Sequence, residues 1–385
     1  MAVSEMKLTP DRLKWTCDPA EFDFATTAEL PELEATLGQD RALKAIDFAL
    51  GMAQDGFNLY LMGESGTGRA STIRNILKQR ARMEPPPLDW CYVYNFKSAD
   101  VPVSLALPAG KGSELEADMR EFIELMKHDI PKALDSKEYE VHRGEVLEEY
   151  QAKNNALFAG LEQRANEKNF SLQRTVSGLV MVPQKEGRNL SQEEYEALAD
   201  NEKEEIDSVG RSLTDQLNDV LRTVRENEKS VRESLSAVDR EVGLSAVGHH
   251  VEPLKKKYGE FEKVVTFLDA VQEDILLNLE DFKPQQQQAS PIPGLKLPKQ
   301  EPDFTRYSVN LFVDNKETLG APIVFEANPT YNNLFGRIEH VMQMGGAATT
   351  NFTLIEPGAL HRANGGYLIV DAREVLINPF AWDAL

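Results

Sequence analysis

Between residues 206 and 238 apolar side chains return on a seven-residue repeat in two interleaved series, Ile206, Leu213 and Val220 in one and Leu217, Val224, Val231 and Val238 in the other. Steps of three and four between the series draw a narrow apolar stripe down a long helix, which must be covered along its length by another helix. A partner is at hand in 137–168, where Tyr139, Val146, Tyr150, Leu157 and Leu161 share a face, and a third helix is expected over 252–279. Asn227 is a polar residue inside the stripe, where a coiled coil can use one to fix register. Between the first two helices, "FSLQRTVSGLVMVPQ" alternates around Ser177 and Gly178 and reads as a small hairpin. The expectation is an antiparallel coiled-coil arm. The plainer alternative is a charged bundle that only fills space.

The sequence on either side has a different texture, with short apolar runs between turn residues. Before the arm, "ALKAIDFALGMA" reads as an amphipathic helix, "FNLYLM" as a buried strand, "ASTIRNILKQRARM" as a second helix and "WCYVYNF" as a second buried strand. That order is a βαβ unit with a glycine loop at its first strand-to-helix turn. After the arm, "KPQQQQASPIPGLKLPKQEPDF" is too rich in Pro and Gln to be helix or central strand throughout. Then come "RYSVNLFVD", "PIVFEA", a helix near 334–340, a glycine-rich loop and "GGYLIVDAREVL". The simplest reading is an α/β fold, a parallel sheet flanked by helices, interrupted by the helical insertion. Its parts are 1–111 with the glycine loop, 112–282 as the insertion, 283–303 as a linker and 304–385 as the second half. A long insertion costs little loop-closure entropy when its ends lie close together.

Composition narrows the partners. A formal charge of −21, from 63 acidic against 42 basic residues, repels phosphodiester backbones and anionic lipid surfaces. Nucleic acid and membrane are therefore not expected. The two cysteines, Cys17 and Cys91, are far apart and in no metal-ligand spacing, which fits a reducing compartment. With no signal peptide and no long apolar run in the sequence, the expected location is cytoplasmic.

The glycine loop carries the chemistry. A full phosphate-binding loop reads G-x-x-x-x-G-K-[ST] between a strand and a helix. Here Gly63, Glu64, Ser65, Gly66, Thr67 and Gly68 supply the backbone, so main-chain N–H groups and a helix N-terminus can cradle phosphates. Arg69 stands where the lysine belongs, and its planar guanidinium cannot simply copy a compact ammonium. Ala70 has no hydroxyl for Mg²⁺, and Ser71 points about 100° further round the helix. Asp371, at the end of "YLIVDA", is the acidic residue that would hold Mg²⁺ directly or through water. Ala372 follows it where a water-positioning glutamate is common, and Glu374 is out of register. These residues predict retained nucleotide binding with impaired hydrolysis. The alternative is a glycine loop kept only for close helix–strand packing.

The strings "GQDRALKAIDFAL", "GESGTGR", "NPTYNNLFGRIEH" and "EPGALHRANGGYLIVDAREVLINPFAWDAL", with "SLQRT", "AVGH" and "AVQEDILLNLEDF" in the helical region, resemble the AAA+ part of the Lon-related ATP-dependent proteases of bacteria, a Lon-like branch. "EPGALHRANGGYLIVD" also looks like the equivalent stretch of archaeal membrane-type Lon. The resemblance implies a P-loop AAA+ domain of an ATP-dependent unfoldase, joined to a serine peptidase with a Ser–Lys dyad in a hexameric ring. It implies Gly38 and Gln39 beside the adenine of ATP or ADP, residues 63–70 around the phosphates and Asp371 at the metal. The loop "VMQMGGAATT", with Met342, Met344, Gly345 and Gly346, would face a central pore and grip unfolded protein, since thioethers suit varied side chains. The alternative for both methionines is an ordinary core-facing place on the preceding helix. Because the chain ends just past the Asp371 strand, the resemblance implies an N-terminal fragment that cleaves nothing by itself. A rival reading is a nucleotide-independent module whose arm gates or recruits substrates. His361 and Arg362 are expected to cap or pack, and the adjacent His249 and His250 make a poor metal pair.

Overall fold

The computed structural model describes residues 8–10, 13–14, 16–30, 38–52, 54–64, 66–175, 178–185, 187–283, 302–342, 346 and 348–385. They mix helix and strand and divide into two compact units, Met1–Pro85 and Pro86–Leu385.

The first unit holds two helices, α1 (Asp40–Leu50) and α2 (Arg69–Ala81). Ile73, Leu77 and Ala81 recur every fourth residue and form the buried stripe of α2. The strand expected over 57–62 is not formed: Phe57, Tyr60 and Met62 are exposed, and no strand lies among the described residues of this unit. An apolar run has the composition of a strand, but only a neighbouring ladder makes it one.

The second unit opens with β1 (Asp89–Val93), β2 (Val103–Leu107) and α3 (Lys111–Leu134). Next are α4 (Lys137–Glu167), the hairpin β3 (Phe170–Thr175) and β4 (Gly178–Lys185), β5 (Arg188–Asn189) and α5 (Gln192–Glu196). Two helices follow, α6 (Asp200–Lys257) and α7 (Glu262–Leu277), and the chain returns as β6 (Val309–Val313). The sheet order is β2-β1-β6, with both pairings antiparallel. "WCYVYNF" is thus a strand, but it belongs to an antiparallel sheet rather than to the expected βαβ unit. The main core lies where α3, the end of α6 and α7 cover this sheet: Leu115, Met119, Phe122, Met126 and Ile130 of α3 meet Val247, Val251, Phe267, Leu268 and Val271.

Away from that base, α4 and α6 run antiparallel. Tyr139 donates to Asp239 at 2.7 Å, Asn227 donates to Asn154 at 3.0 Å, and Leu161 packs with Leu217 and Val220. Numbers rise on one helix as they fall on the other. At the roughly 1.5 Å rise per residue of an α-helix, the 58 residues of α6 span about 85 Å. The stripe read from the sequence is the buried one, with Leu213, Leu217 and Val220 inside. The hairpin closes the far end, where Phe170 is buried against Ala165 and Leu213. The third helix starts later than expected, because α6 continues through Pro253 to Lys257. Burial of Val251 and Tyr258 on either side of the proline offsets its lost hydrogen bond. The linker lies almost wholly outside the described residues; the rings flanking it, Phe282 and Phe304, are 4.7 Å apart.

The last stretch contains β7 (Ile323–Glu326), α8 (Tyr331–Phe335), β8 (Arg337–Ile338), β9 (Val341–Met342), β10 (Ala348–Thr349) and β11 (Ile355–Glu356). It ends with α9 (Ala359–Arg362), β12 (Tyr367–Val370), α10 (Ala372–Ile377) and α11 (Ala381–Ala384). β7 and β12 pair in parallel, Tyr367 beside Ile323 and Val370 beside Glu326. The helix expected near 334–340 stops instead at Gly336, whose φ of 82° breaks it. From there β8 pairs with β11 and β9 with β10, making a ribbon. A side chain on Gly336 would lie 2.3 Å from the Glu356 carbonyl, and one on Gly358 2.2 Å from that of Leu334, so both glycines are needed where these turns touch.

Candidate functional site

The glycine loop is an exposed turn leading into α2. Gly66 and Gly68 both have left-handed backbone, with φ of 86° and 78°, a conformation that a side chain would resist. Gly68 caps α2, and no acidic residue lies in the first turn of that helix, so its positive end is not neutralised locally. Thr67 Oγ1 donates to the Glu64 carbonyl at 2.8 Å, closing the loop on itself. The stem of Arg69 folds back over Gly63, whose added Cβ would sit 3.4 Å from Arg69 Cδ. Ser71, the hydroxyl next to Ala70, donates to the Gly68 carbonyl at 2.9 Å. Ser65 lies outside the described residues. Gly38, also left-handed with φ of 72°, and Gln39 are exposed at the start of α1, where the Gln39 carbonyl accepts from Leu43 N–H at 2.9 Å.

Asp371 belongs to the second unit and stands at the carboxyl end of β12. Its Oδ1 accepts from Arg373 N–H at 2.9 Å, so the carboxylate caps α10. Beside it in the parallel pair, β7 ends in Glu326, a carboxylate not singled out from the sequence. Glu326 Oε1 accepts from Asn328 N–H at 3.0 Å and its other oxygen faces the Arg362 guanidinium at 3.6 Å. Its place at the end of "PIVFE" was the available signal, since ligands gather at the carboxyl ends of parallel strands. The first unit thus presents a glycine turn at a helix N-terminus, and the second, taken by itself, a carboxylate at a strand end.

The ribbon carries the residues expected to face polypeptide. Met342, 72% exposed, pairs with Ala348, so it is neither helical nor core-facing. Ile338 and Val341 are also exposed, and Gly346 has φ of 84° near the tip. Met344 and Gly345 lie outside the described residues. Thr350 Oγ1 donates to the Glu339 carbonyl at 2.8 Å, and Arg337 pairs with Glu339 and Glu356 at the base.

The histidines have other partners. His361 Nδ1 accepts from Gly358 N–H at 3.1 Å and its ring meets Phe312 edge-on at 4.9 Å. Burial, with Arg362 nearby, holds its pKa below the usual histidine value. Asp129 lies between His128, at 2.7 Å, and His250, at 2.8 Å, and those hydrogen bonds hold its carboxyl below the usual range. No group of three or more His, Cys, Asp or Glu among the described residues is placed to hold a metal. Burial, then the charge of Asp89, pushes the Cys91 thiol up to about 12, leaving it unreactive. No helix among the described residues is long and apolar enough to cross a membrane.

Two family models match the chain. One, described as a LonB-like AAA domain, covers residues 319–385, from just before β7 to the end of α11 and so including the ribbon and Asp371. The other, a Lon-like LonC helical domain, covers 89–122, which is β1, β2 and the first half of α3. Together they support kinship with Lon-related proteins and an ATPase-type module. The glycine loop lies outside both matched stretches. A search of curated proteins finds no match.

Proposed function

We propose that this chain is the ATPase-type module of a Lon-related protease, binding ATP or ADP weakly and passing unfolded protein to a peptidase domain within a hexameric ring. The observation that carries the reading is the parallel pair β7–β12, with Asp371 at its carboxyl end, inside the stretch matched to a LonB-like AAA domain. The cradle of Gly66 and Gly68 before α2 supports it, being suited to phosphate. Gly38 and Gln39 would lie beside the adenine, residues 63–70 around the phosphates with Arg69 in the lysine's role, and Asp371 at Mg²⁺. The exposed ribbon, with Met342, Met344, Gly345 and Gly346, would hold extended polypeptide by apolar contact.

Two observations favour a second reading, a nucleotide-independent module that gates or recruits substrates. Ser71 spends its hydroxyl on Gly68, and Asp371 spends an oxygen on capping α10. Neither bond removes a lone pair that a metal could use, so impaired turnover under the first reading rests on Ala70, which has no hydroxyl where one is usual, and on Ala372.

Calorimetric titration with ATP and a slowly hydrolysed analogue, with and without Mg²⁺, separates the two. Saturable heat that Arg69→Ala abolishes is expected from the first. No heat at millimolar nucleotide, in this chain and in a chain carrying the peptidase domain, would leave only the second.

A further inference from the structure

Asn310 is the second residue of β6, opposite Tyr92 of β1, in a strand whose other residues are apolar. Its side-chain amide donates to two main-chain carbonyls, Phe352 at 2.8 Å in the 3-10 turn Phe352–Leu354 and Ile355 at 3.0 Å at the start of β11, the ribbon's returning strand. Only the NH₂ side of an amide can meet two carbonyls, so the orientation of this side chain is fixed. Around it the Tyr94 and Phe352 rings lie 6.2 Å apart, and Phe312, two residues further along β6, packs against His361. The sheet that receives the ribbon is also the one fastened to the helices. At its edge the buried Asp89 carboxylate accepts from Gly112 N–H at the start of α3 and from Asn315 N–H just past β6, both at 2.8 Å. Continuous packing then leads from α3 to α6 and so to the arm.

We infer that Asn310 is a positioning residue that sets the ribbon on the helix-bearing sheet, so that a pull on the ribbon is passed through β6, β1 and α3 to the α4–α6 arm. This deepens the reading of the ribbon as a polypeptide grip and rests on it. It assigns the arm a partner inside the chain: the arm would respond to cargo held at the ribbon, and cargo affinity would depend on the arm's base. Leucine at 310 fills similar space but leaves both carbonyls without their donor, and aspartate is closer still in shape but donates only when protonated.

The test is a pair of spin labels, on Glu241→Cys in α6 and Thr349→Cys in the ribbon, in the full chain carrying Cys17→Ser. Pulsed electron resonance should give one narrow distance peak in the parent, lost in Asn310→Leu and in Asn310→Asp at neutral pH. In a chain that also carries His361→Asn, so that the histidine cannot loosen the ribbon in acid, the peak should return in Asn310→Asp under weakly acidic conditions, a recovery that a packing defect would not show. A control pair, Glu148→Cys with Glu241→Cys, should keep its peak throughout. If Asn310→Leu fails to fold, Asn310→Asp decides alone. An unchanged ribbon-to-arm peak in the variant or variants that fold would overturn the inference. Binding of fluorescein-labelled unfolded casein to the parent chain is measured separately; absence of binding would overturn the grip while leaving the mechanical tie to stand or fall on the labels.

Discussion

The helical region and the glycine-loop unit are written with similar apolar residues and put them to opposite use. In α3, α6 and α7, Leu115, Met119, Val247 and Leu268 are completely enclosed, whereas Phe57, Tyr60 and Met62 before the glycine loop remain more than half exposed. The difference lies in what each element needs from elsewhere. A helix satisfies its backbone internally and needs only a facing stripe, which its own period announces. A strand leaves every backbone group to a neighbour, and the unit that contains 57–62 offers no described strand to pair with.

The sharpest way to break the ordered side of that contrast is at Asp89, the one fully buried carboxylate among the described residues. Asp89→Ala strands the Gly112 and Asn315 N–H groups in a site with no water access, and each orphaned group costs about 1–3 kcal/mol. A loss of about 3 kcal/mol or more is expected in urea unfolding. A loss below about 1 kcal/mol would mean that the sheet and α3 are held by apolar packing alone. In the arm the effect should be smaller in reach. Leu217→Ala removes a buried side chain between α4 and α6 and should cost about 2–4 kcal/mol, read as faster amide hydrogen exchange along both helices. Equal acceleration in α7 would show that arm and base unfold together, not as separate cooperative parts.

Much of this was legible beforehand, for reasons that can be named. The seam from Ile206 to Val238, its partner helix and the hairpin at Gly178 all carry a local period or turn, and local signals survive folding. The parallel strand ending at Asp371 was readable for the same reason. What failed depended on distant partners: the strand at 57–62, the orientation of β1, and the point where α6 ends. The helix near 334–340 failed because Gly336 was read as an ordinary residue and not as a stop. At the candidate site the glycine spacing foretold a turn into a helix, but not that Ser71 and Asp371 would be engaged by their own backbone. Asp89 and Asn310 were passed over although both interrupt apolar strands; Asp89 even shares the inward phase of Cys91 and Val93. A polar residue at an inward position is a request for a partner, and the sequence alone does not say which.

Acid should separate the ribbon half from the arm by a smaller margin. His361 has a folded pKa below its ordinary value of 6.5 because burial penalises the imidazolium. Its neutral form is the one the fold prefers, so its contribution is complete above the unfolded value and is lost as pH falls through the folded one. Protection factors at residues 336–342, referred to the intrinsic exchange rate at each pH, should therefore fall below about pH 6.5, with those of α4 unaffected over the same interval. His361→Asn keeps an acceptor for Gly358 N–H and cannot be protonated, so it should flatten that dependence. An identical pH response in this variant would place the titrating group elsewhere.

The smallest effect is the one that tests the contrast most directly. Tyr60 is 72% exposed, and a polar replacement on such a surface ordinarily changes stability by no more than about 0.5 kcal/mol. Tyr60→Ser should therefore leave the urea midpoint of the whole chain where it was, while the same change at an enclosed position such as Tyr258 should not. The prediction has a useful way of failing. "FNLYLM" is a nearly continuous apolar run, of the kind suited to a buried strand and one that water does not favour. If Tyr60→Ser costs about 1.5 kcal/mol or more, a value typical of a buried side chain, the run has found a ladder in solution. The exposed side of the comparison would then have been only unpaired, and repeating the measurement at several protein concentrations would say whether its neighbour is another copy of the chain.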